Sequence, residues 1–240
     1  KQPTIACGSP LIPMIIEAAG MSTTVKSFVL APEGQKLTSK TPWIILEGSA
    51  SDILRIERTI LNFLIRMCGI AARTRAVVEA LEGTPCKVLH TRKTAPGHRT
   101  TDIYAALTGG AMPHRHSLAD AILVKENHWQ ATPSFNQIMD GIKLERDKVS
   151  FVEIEVRDLT ELKHALAAKP NRIMLDNFTI DNLKKAVLLF SSSVEFEASG
   201  GITLENARAH ADTGVDYISL GSITHSAPAA DLSMLFDWNK

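Results

Sequence analysis

HTRKTAPGHR, residues 90–99, gathers Arg92, Lys93 and Arg99 with His90 and His98 around a Pro-Gly turn, in a chain whose 26 basic and 26 acidic residues leave a formal net charge of zero. With no global field to draw nucleic acid or a membrane surface, an anion site must be built by local clustering. In an extended segment neighbouring side chains point opposite ways, so Arg92 and Lys93 can serve two different anionic groups. The planar fork of Arg suits a carboxylate, and Lys suits a phosphate as a point charge. HRHSLADAILVKENH, residues 114–128, adds His114, Arg115 and His116 before an apolar run and Lys125 at its end. A charge that ends an apolar strand points into a polar cavity, where Lys125 could bind an anion or form a Schiff base.

Acids and glycines close the set. VEIEV (152–156) places Glu153 and Glu155 on one face of a strand, and Asp176 ends the next apolar run. Carboxylates at strand ends can hold sugar hydroxyls, stabilise a developing cation or bind Mg²⁺ through water. The plain alternative is a structural pair with an interior Lys or Arg, and it weighs more for Glu153 than for Glu155. EASGGITLENA carries Ser199, Gly200 and Gly201 ahead of a helix capped by Thr203, and LGSITHSAP carries Gly221 and His225 after the next run. Small residues there let backbone N–H groups approach a phosphate at a helix N-terminus, although either stretch could be a simple turn.

These residues need elements to hold them. KVLH (87–90), AILV (121–124), VEIEV (152–156), RIML (172–175), VEFEA (194–198) and DYISL (216–220) alternate with helix-like stretches, which predicts parallel βα units in a (β/α) barrel or a doubly wound sheet. Each run ends in polar or glycine residues. Any strand must leave through such residues, but six that together supply cations, acids and glycines point to one shared face at the C-terminal ends. Before residue 86 the rhythm differs, and the pattern predicts a small α/β domain feeding a long helix that opens at Ser49 or Ser51 and closes at Gly69. Ile53, Leu54, Ile60, Leu61, Leu64 and Ile65 form its apolar stripe, with Glu57 and Arg58 inside it. Either those two pair, or Arg58 faces a neighbouring site or subunit. Cys7, Cys68 and Cys86 lack metal or redox spacing and suit a reducing cytoplasm without disulfides. The apolar opening LIPMIIEAAG is broken by Pro13 and Glu17, too short for a membrane span.

Taken in order, ERTILNFLIRMCGIA, HTRKTAPGHR, HR followed by LADAILVKENH, VEIEV, IMLDNF, SGGITLENA and TGVDYISLGSITHSAP resemble the quinolinate phosphoribosyltransferase family from about residue 45 to the C-terminus. The resemblance implies an α/β fold, an incomplete (β/α) TIM-like barrel at residues 62–227 beside a small N-terminal α/β sandwich at 1–61, rejoined by 228–240. It implies transfer of phosphoribosyl from phosphoribosyl pyrophosphate (PRPP) to quinolinate with decarboxylation, Mg²⁺ arriving with PRPP, no organic cofactor, and a cytoplasmic homodimer or higher assembly with shared active sites. Carried over by position, Arg92, His114, Arg115 and Lys125 form the cradle for quinolinate and diphosphate, Arg58 comes from the partner subunit, and Lys93 meets the diphosphate. Glu155 and Asp176 hold ribose and Mg²⁺, through water where needed. Ser199, Gly200, Gly201, Gly221 and His225 form the phosphate-side loops, and Lys93, Lys125, Glu155 and Asp176 carry the catalytic roles. No nucleic acid or membrane partner is expected.

Ala111, Pro113 and Ser117 depart from the family's glycine-rich pattern around HR, and Pro fixes φ and removes a donor. The family's first tens of residues have no counterpart before Lys1, so the first domain is expected to be incomplete. Three other readings compete: a related molybdate-operon phosphoribosyltransferase with another substrate, a non-catalytic phosphoribosyl-ligand binding module, and a Schiff-base aldolase using Lys125.

Overall fold

The computed structural model describes residues 2–115, 117–132 and 134–237; His116 lies outside them. The chain divides into two compact units, one of residues 1–76, 92–111 and 221–240, the other of 77–91 and 112–220.

In the first unit β1 (Thr4–Ile5) pairs antiparallel with β3 (Lys36–Leu37), and β2 (Val25–Val29) with β4 (Ile44–Gly48), beside the helix α1 (Leu11–Ala18). The helix α2 runs from Ala50 to Ala80, eleven residues past its expected end at Gly69. Gly69 is a helical glycine with a different purpose: a Cβ there would lie 2.0 Å from the Pro228 carbonyl oxygen. The C-terminal segment crosses the helix at that point, where the Ala230 N–H donates to the Ile65 carbonyl at 3.0 Å. The true stop comes at Gly83, with φ +83°, and Pro85. The buried stripe of α2 follows Ile53, Ile56, Ile60, Leu64 and Met67, spaced three and four apart. Leu54 is exposed, and the Arg58 side chain is 81% exposed, 3.9 Å from Glu57. Arg58 is thus outside the stripe to which the apolar pattern assigned it, because Ile56 carries that turn.

The second unit is built on six parallel strands among the described residues: β5 (Lys87–Leu89), β6 (Ala121–Val124), β7 (Phe151–Val156), β8 (Arg172–Asp176), β9 (Glu195–Ser199) and β10 (Tyr217–Ser219). Their spatial order is β5-β10-β9-β8-β7-β6. A doubly wound sheet reverses direction at a switch point. Here the strands follow sequence order with β5 added beside β10, which is the order of a barrel left open between β5 and β6. Helices α4 (Glu126–Ala131) and α5 (Phe135–Glu145) follow β6, and α6 (Leu159–Leu166), α7 (Ile180–Phe190) and α8 (Leu204–Ala211) make the crossovers in the last four strands. Asp158 caps α6 through the Thr160 and Glu161 amides and Thr179 caps α7 through Asn182, as expected of such side chains. Ile154, Ile173, Leu175, Phe196 and Ile218 are fully buried on the helix-facing side. All three cysteines are free and buried, and burial pushes the Cys68 and Cys86 thiols up to about 12. No helix among the described residues is long and apolar enough to cross a membrane.

Candidate active site

Strand alternation decides what enters the barrel of the second unit. Because side chains alternate with period two, β7, β8, β9 and β10 put one set of residues on the inward face, in three layers counted along each strand: Phe151, Arg172, Glu195 and Tyr217 at the strand starts, then Glu153, Met174, Glu197 and Ser219, and Glu155, Asp176 and Ser199 at the C-terminal ends. The strands are staggered, so that Glu153 lies opposite Arg172, Glu155 opposite Met174, and Tyr217 opposite Glu197. This interior is charged rather than apolar.

In the first layer the Arg172 guanidinium lies 3.9 Å from the centre of the Tyr217 ring and 5.5 Å from that of Phe151. It also sits 3.5 Å from Glu195 and 3.7 Å from Glu197. In the middle layer Glu153 and Glu197 have no solvent exposure, and His114 Nε2 stands 3.0 Å and 3.4 Å from their carboxylates. Burial pulls the imidazole down, but hydrogen bonds and charge from the two glutamates outweigh it and raise His114 to about 9. The Arg115 N–H, 2.7 Å from His114 Nδ1, favours the neutral ring. The charge of Glu197, joined by that of Glu153 once it ionises, outweighs that one dipole in a dry interior, so we take His114 as a cation. Burial, and then repulsion from Glu197, push Glu153 up to about 7 despite His114. For Glu197 the burial penalty is overcome by the His114 hydrogen bond and charge, which hold it below the usual range. His114, Glu153 and Glu197 have the donor types of a divalent-metal site. With Arg172 and His114 already balancing the two carboxylates, a further dication would leave the pocket overcharged.

At the C-terminal ends Lys125 Nζ is 3.0 Å from Glu155. A charge-paired ammonium is the opposite of the isolated amine that Schiff-base chemistry uses. Glu155 is held by its own strand, and its carbonyl accepts from Trp129 Nε1 at 3.2 Å. Asp176 pairs in register with Ser199 and accepts from Asn177 Nδ2 at 2.7 Å. Asn177 takes a left-handed φ of +56°, and a Cβ on Gly200 would strike its side chain at 2.2 Å. Gly200 is therefore required for Asn177 to orient Asp176, a reason distinct from phosphate approach. Gly201, φ +61°, has open space where a Cβ would be, as a ligand-facing loop needs.

The first unit holds the other predicted residues. Ala95-Pro96-Gly97-His98 closes a turn through His98 N–H to Ala95 O at 3.0 Å, with Gly97 at φ +76° as a type II turn requires. The Ala95 N–H donates to Asp102 at 3.0 Å. Asp102 has no solvent exposure, lies in the first turn of α3 (Arg99–Gly109) and accepts a two-pronged pair from Arg66 at 2.7 and 2.6 Å. Thr224 Oγ1, in the short helix α9 (Ser222–His225), donates to the Lys93 carbonyl at 2.7 Å. A Cβ on Gly221 would lie 2.9 Å from the Lys93 side chain and 3.0 Å from His225, so these three predicted residues meet. Arg92 Nε is buried without a hydrogen-bond partner among the described residues, a donor left over for an anion.

The structure thus gathers Lys93, Gly221 and His225 in one unit, with Arg92 on the same loop and Arg58 on α2. In the other it gathers His114, Arg115, Lys125, Glu155, Asp176, Ser199, Gly200 and Gly201. Sequence reasoning missed Arg66, Asp102 and Thr224 around the cationic loop, and Glu197 and Arg172 inside the barrel. Strand parity could have found the last two, since each shares a face with a predicted residue, Ser199 and Asp176.

Comparison with known proteins accounts for nearly the whole chain. The profile of the quinolinate phosphoribosyl transferase N-terminal domain matches residues 1–68 and that of the C-terminal domain residues 70–235. A nicotinate-nucleotide pyrophosphorylase (carboxylating) of Mycobacterium leprae is 34% identical over 98% of this chain and 83% of its own length. A mitochondrial quinolinate phosphoribosyltransferase (decarboxylating) of Nicotiana tabacum is 35% identical over 99% of this chain and 72% of its length. The solved nicotinate-nucleotide pyrophosphorylase of Francisella tularensis superposes with a TM-score of 0.89 at 38% identity, covering 97% of this chain and 82% of that one. Matched end to end in sequence and fold, this chain belongs to the quinolinate phosphoribosyl transferase family.

Proposed function

We propose that the protein transfers phosphoribosyl from PRPP to quinolinate and releases CO₂, giving nicotinate mononucleotide and pyrophosphate for NAD biosynthesis. The observation that carries this reading is the pairing of chemistry at the strand ends. Two carboxylates, Glu155 and Asp176, stand at adjacent strands of a barrel whose loops carry Arg115 and Lys125, and the first unit carries a buried Arg92 Nε without a partner. A substrate with two carboxylates and a co-substrate rich in phosphate need such focused cations in an uncharged chain.

In the proposed reaction the ring nitrogen of quinolinate donates its lone pair to ribose C1 as the C1–oxygen bond breaks, and diphosphate departs with the electron pair. Glu155 and Asp176 stabilise the cationic character at C1 electrostatically. Mg²⁺ enters bound to PRPP as part of the substrate, and the same two acids reach it directly or through water. Lys93 and Lys125 neutralise the departing diphosphate. The nitrogen, now positive, accepts the electron density left when the adjacent carboxylate leaves as CO₂, and a proton replaces it on the ring carbon. Arg92 and Arg115, beside His114, hold the substrate carboxylates, and Ser199, Gly200, Gly201, Gly221 and His225 serve the phosphate side.

Mass spectrometry after incubation with quinolinate, PRPP and Mg²⁺, with nicotinate in a parallel tube, tests this. Nicotinate mononucleotide is expected from quinolinate alone. Binding of the ligands without product would favour the binding-module reading instead.

A homodimer with shared sites fits the exposed apolar side chains of Phe28, Val29, Leu30, Ile45 and Leu54 in the first unit. It also fits the exposure of Arg58. Mixing an inactive Arg58→Ala protein with an inactive Arg92→Ala protein is expected to restore up to roughly a quarter of wild-type turnover once subunits exchange, because one site per mixed dimer is whole. No recovery despite exchange shown by mass tagging would refute the sharing. Three buried free thiols are consistent with a reducing cytoplasm.

A further inference from the structure

Strand β7 outlasts its neighbour. The register pairs Val124, the last residue of β6, with Ile154, so Glu155 and Val156 run on past the end of β6. The Val152 carbonyl accepts from the Asn171 N–H at 2.9 Å and therefore lies on the β8 side. Backbone groups alternate along a strand, so the Glu155 carbonyl points the other way, into the space where β6 has stopped. A carbonyl there needs a donor from outside the ladder. Trp129 supplies it, the indole Nε1–H donating at 3.2 Å.

Trp129 reaches that point from α4, whose N-cap is Lys125. The two residues are one helical turn apart, joined by the bond from the Trp129 backbone N–H to the Lys125 carbonyl at 3.3 Å. Both come to Glu155: the Lys125 ammonium to its carboxylate at 3.0 Å and the indole to its carbonyl. Carboxylate, ammonium, helical turn, indole and carbonyl thus close a ring. With six residues α4 is too short to persist by propensity alone, so its docking decides where Lys125 stands. The indole is fixed in turn by stacking on Phe135, the first residue of α5, with ring centres 5.1 Å and planes 3° apart. Phe135 lies 6.3 Å from the His164 ring of α6.

We propose that Trp129 is a positioning residue for the transfer step, whose indole N–H fixes the Glu155 carboxylate assigned to ribose C1 and, through one turn of α4, the Lys125 ammonium assigned to the diphosphate. The roles of Glu155 and Lys125 rest on the transferase reading, whereas the indole tie belongs to the free protein. Another apolar ring would fill the same space. Only the N–H holds the carbonyl, and that separates positioning from packing.

Trp129→Phe keeps a ring against Phe135 and loses the donor. Its kcat is expected to fall about tenfold, the scale on which a misplaced catalytic group costs rate. The KM for quinolinate is expected to stay within about twofold, because Arg92 and Arg115 lie outside the ring and ground-state binding of that substrate is untouched. Trp129→Leu should be no more than about threefold slower than Trp129→Phe, since the donor is already gone in both. A phenylalanine variant near wild-type kcat with only the leucine variant impaired would show a packing role and overturn the inference. So would a quinolinate KM that rises as much as kcat falls. Should the phenylalanine variant not fold, the benzothienyl analogue of tryptophan at position 129, which keeps both rings and lacks the N–H, takes its place.

Independently of turnover, the Trp129 indole proton of the free wild-type protein is expected to exchange slowly in the nuclear magnetic resonance spectrum. The Glu155 carbonyl carbon is expected to shift when the donor is removed. A rapidly exchanging indole proton, or an unmoved Glu155 carbonyl, would overturn the tie. Failure of the transferase reading is a different result: a wild-type protein that makes no nicotinate mononucleotide yet keeps the protected indole, in which the tie stands and its part in the transfer step falls.

Discussion

Asp102→Ala is expected to lower the thermal midpoint by roughly 10 °C, the largest stability loss of any single change on the cationic loop. Asp102 is fully buried and takes both prongs of Arg66 as well as the Ala95 amide. Removing one partner of a buried pair costs about 3–5 kcal/mol, because the remaining charge keeps its desolvation penalty and loses its compensation. Each kcal/mol moves the midpoint of a protein of this size by roughly 2–4 °C. Arg66 is 30% exposed at its side chain, so it can recover part of its hydration, which places the loss toward the lower end of that range. Asp102→Asn keeps the volume and an acceptor for Ala95, and should fall between wild type and Ala. Circular dichroism melts decide the matter, and a drop under about 1 kcal/mol for Ala would show that the pair is not a structural keystone. Activity should fall further than stability does. With Ala95 released, the turn Ala95–His98 no longer fixes Lys93, and in the proposed reaction a displaced cation there neutralises the departing diphosphate less well.

Stability is also expected to fall as pH rises from about 6.5 to 9. His114 is held at about 9 against an ordinary 6.5. A group with a raised folded value contributes fully below its unfolded value and loses that contribution as pH climbs through the folded one. The gap corresponds to roughly 3 kcal/mol between the two protonation states. Glu153, pushed up to about 7 by burial and by Glu197, releases its proton in the lower part of the same range. Its raised value favours the protonated form in the fold, so its ionisation destabilises in the same direction. Glu197 is held below the usual range and is already charged throughout. Urea melts at pH 6.5, 7.5 and 9 should therefore show a monotonic decline that His114→Asn largely removes. A stability that is flat or rises between pH 7.5 and 9 would contradict a cationic His114.

The strands and their polar ends were legible because parallel strands buried on both sides read as short β-branched runs, and all six appear where those runs predict. The choice between a barrel and a doubly wound sheet was legible only through the family resemblance of the motifs, since both share the same βα rhythm and differ only in which strand β5 joins. Gly69 was misread because a glycine that ends a helix and one that lets another backbone cross it look identical in sequence. Arg58 was assigned to the wrong face because Ile56, left out of the expected stripe, carries the buried turn. The site followed the same division. Lys93, Lys125, Glu155 and Asp176 announce themselves by being charged at the end of an apolar run. Asp102 lies in a helix first turn, where an acid has an ordinary explanation, and only the fold shows that Arg66, 36 positions earlier, reaches it. His114 illustrates the limit most plainly: its neighbours Glu153 and Glu197 come from strands separated in space by β8, and no local pattern links them.

The contact of Pro228 with Gly69 bears on how the chain comes to be folded during synthesis. The first unit is assembled from three stretches, the last beginning at residue 221, whereas the second is complete once residue 220 has been made. Domains fold as units as they emerge, and contacts between distant residues form late because loop closure must come first. The second unit can therefore organise on the ribosome while α2 waits with an uncovered groove at Gly69. The stretch from residue 221 fills that groove later, so the residues that carry Gly221 and His225 find their places after the barrel strands have formed.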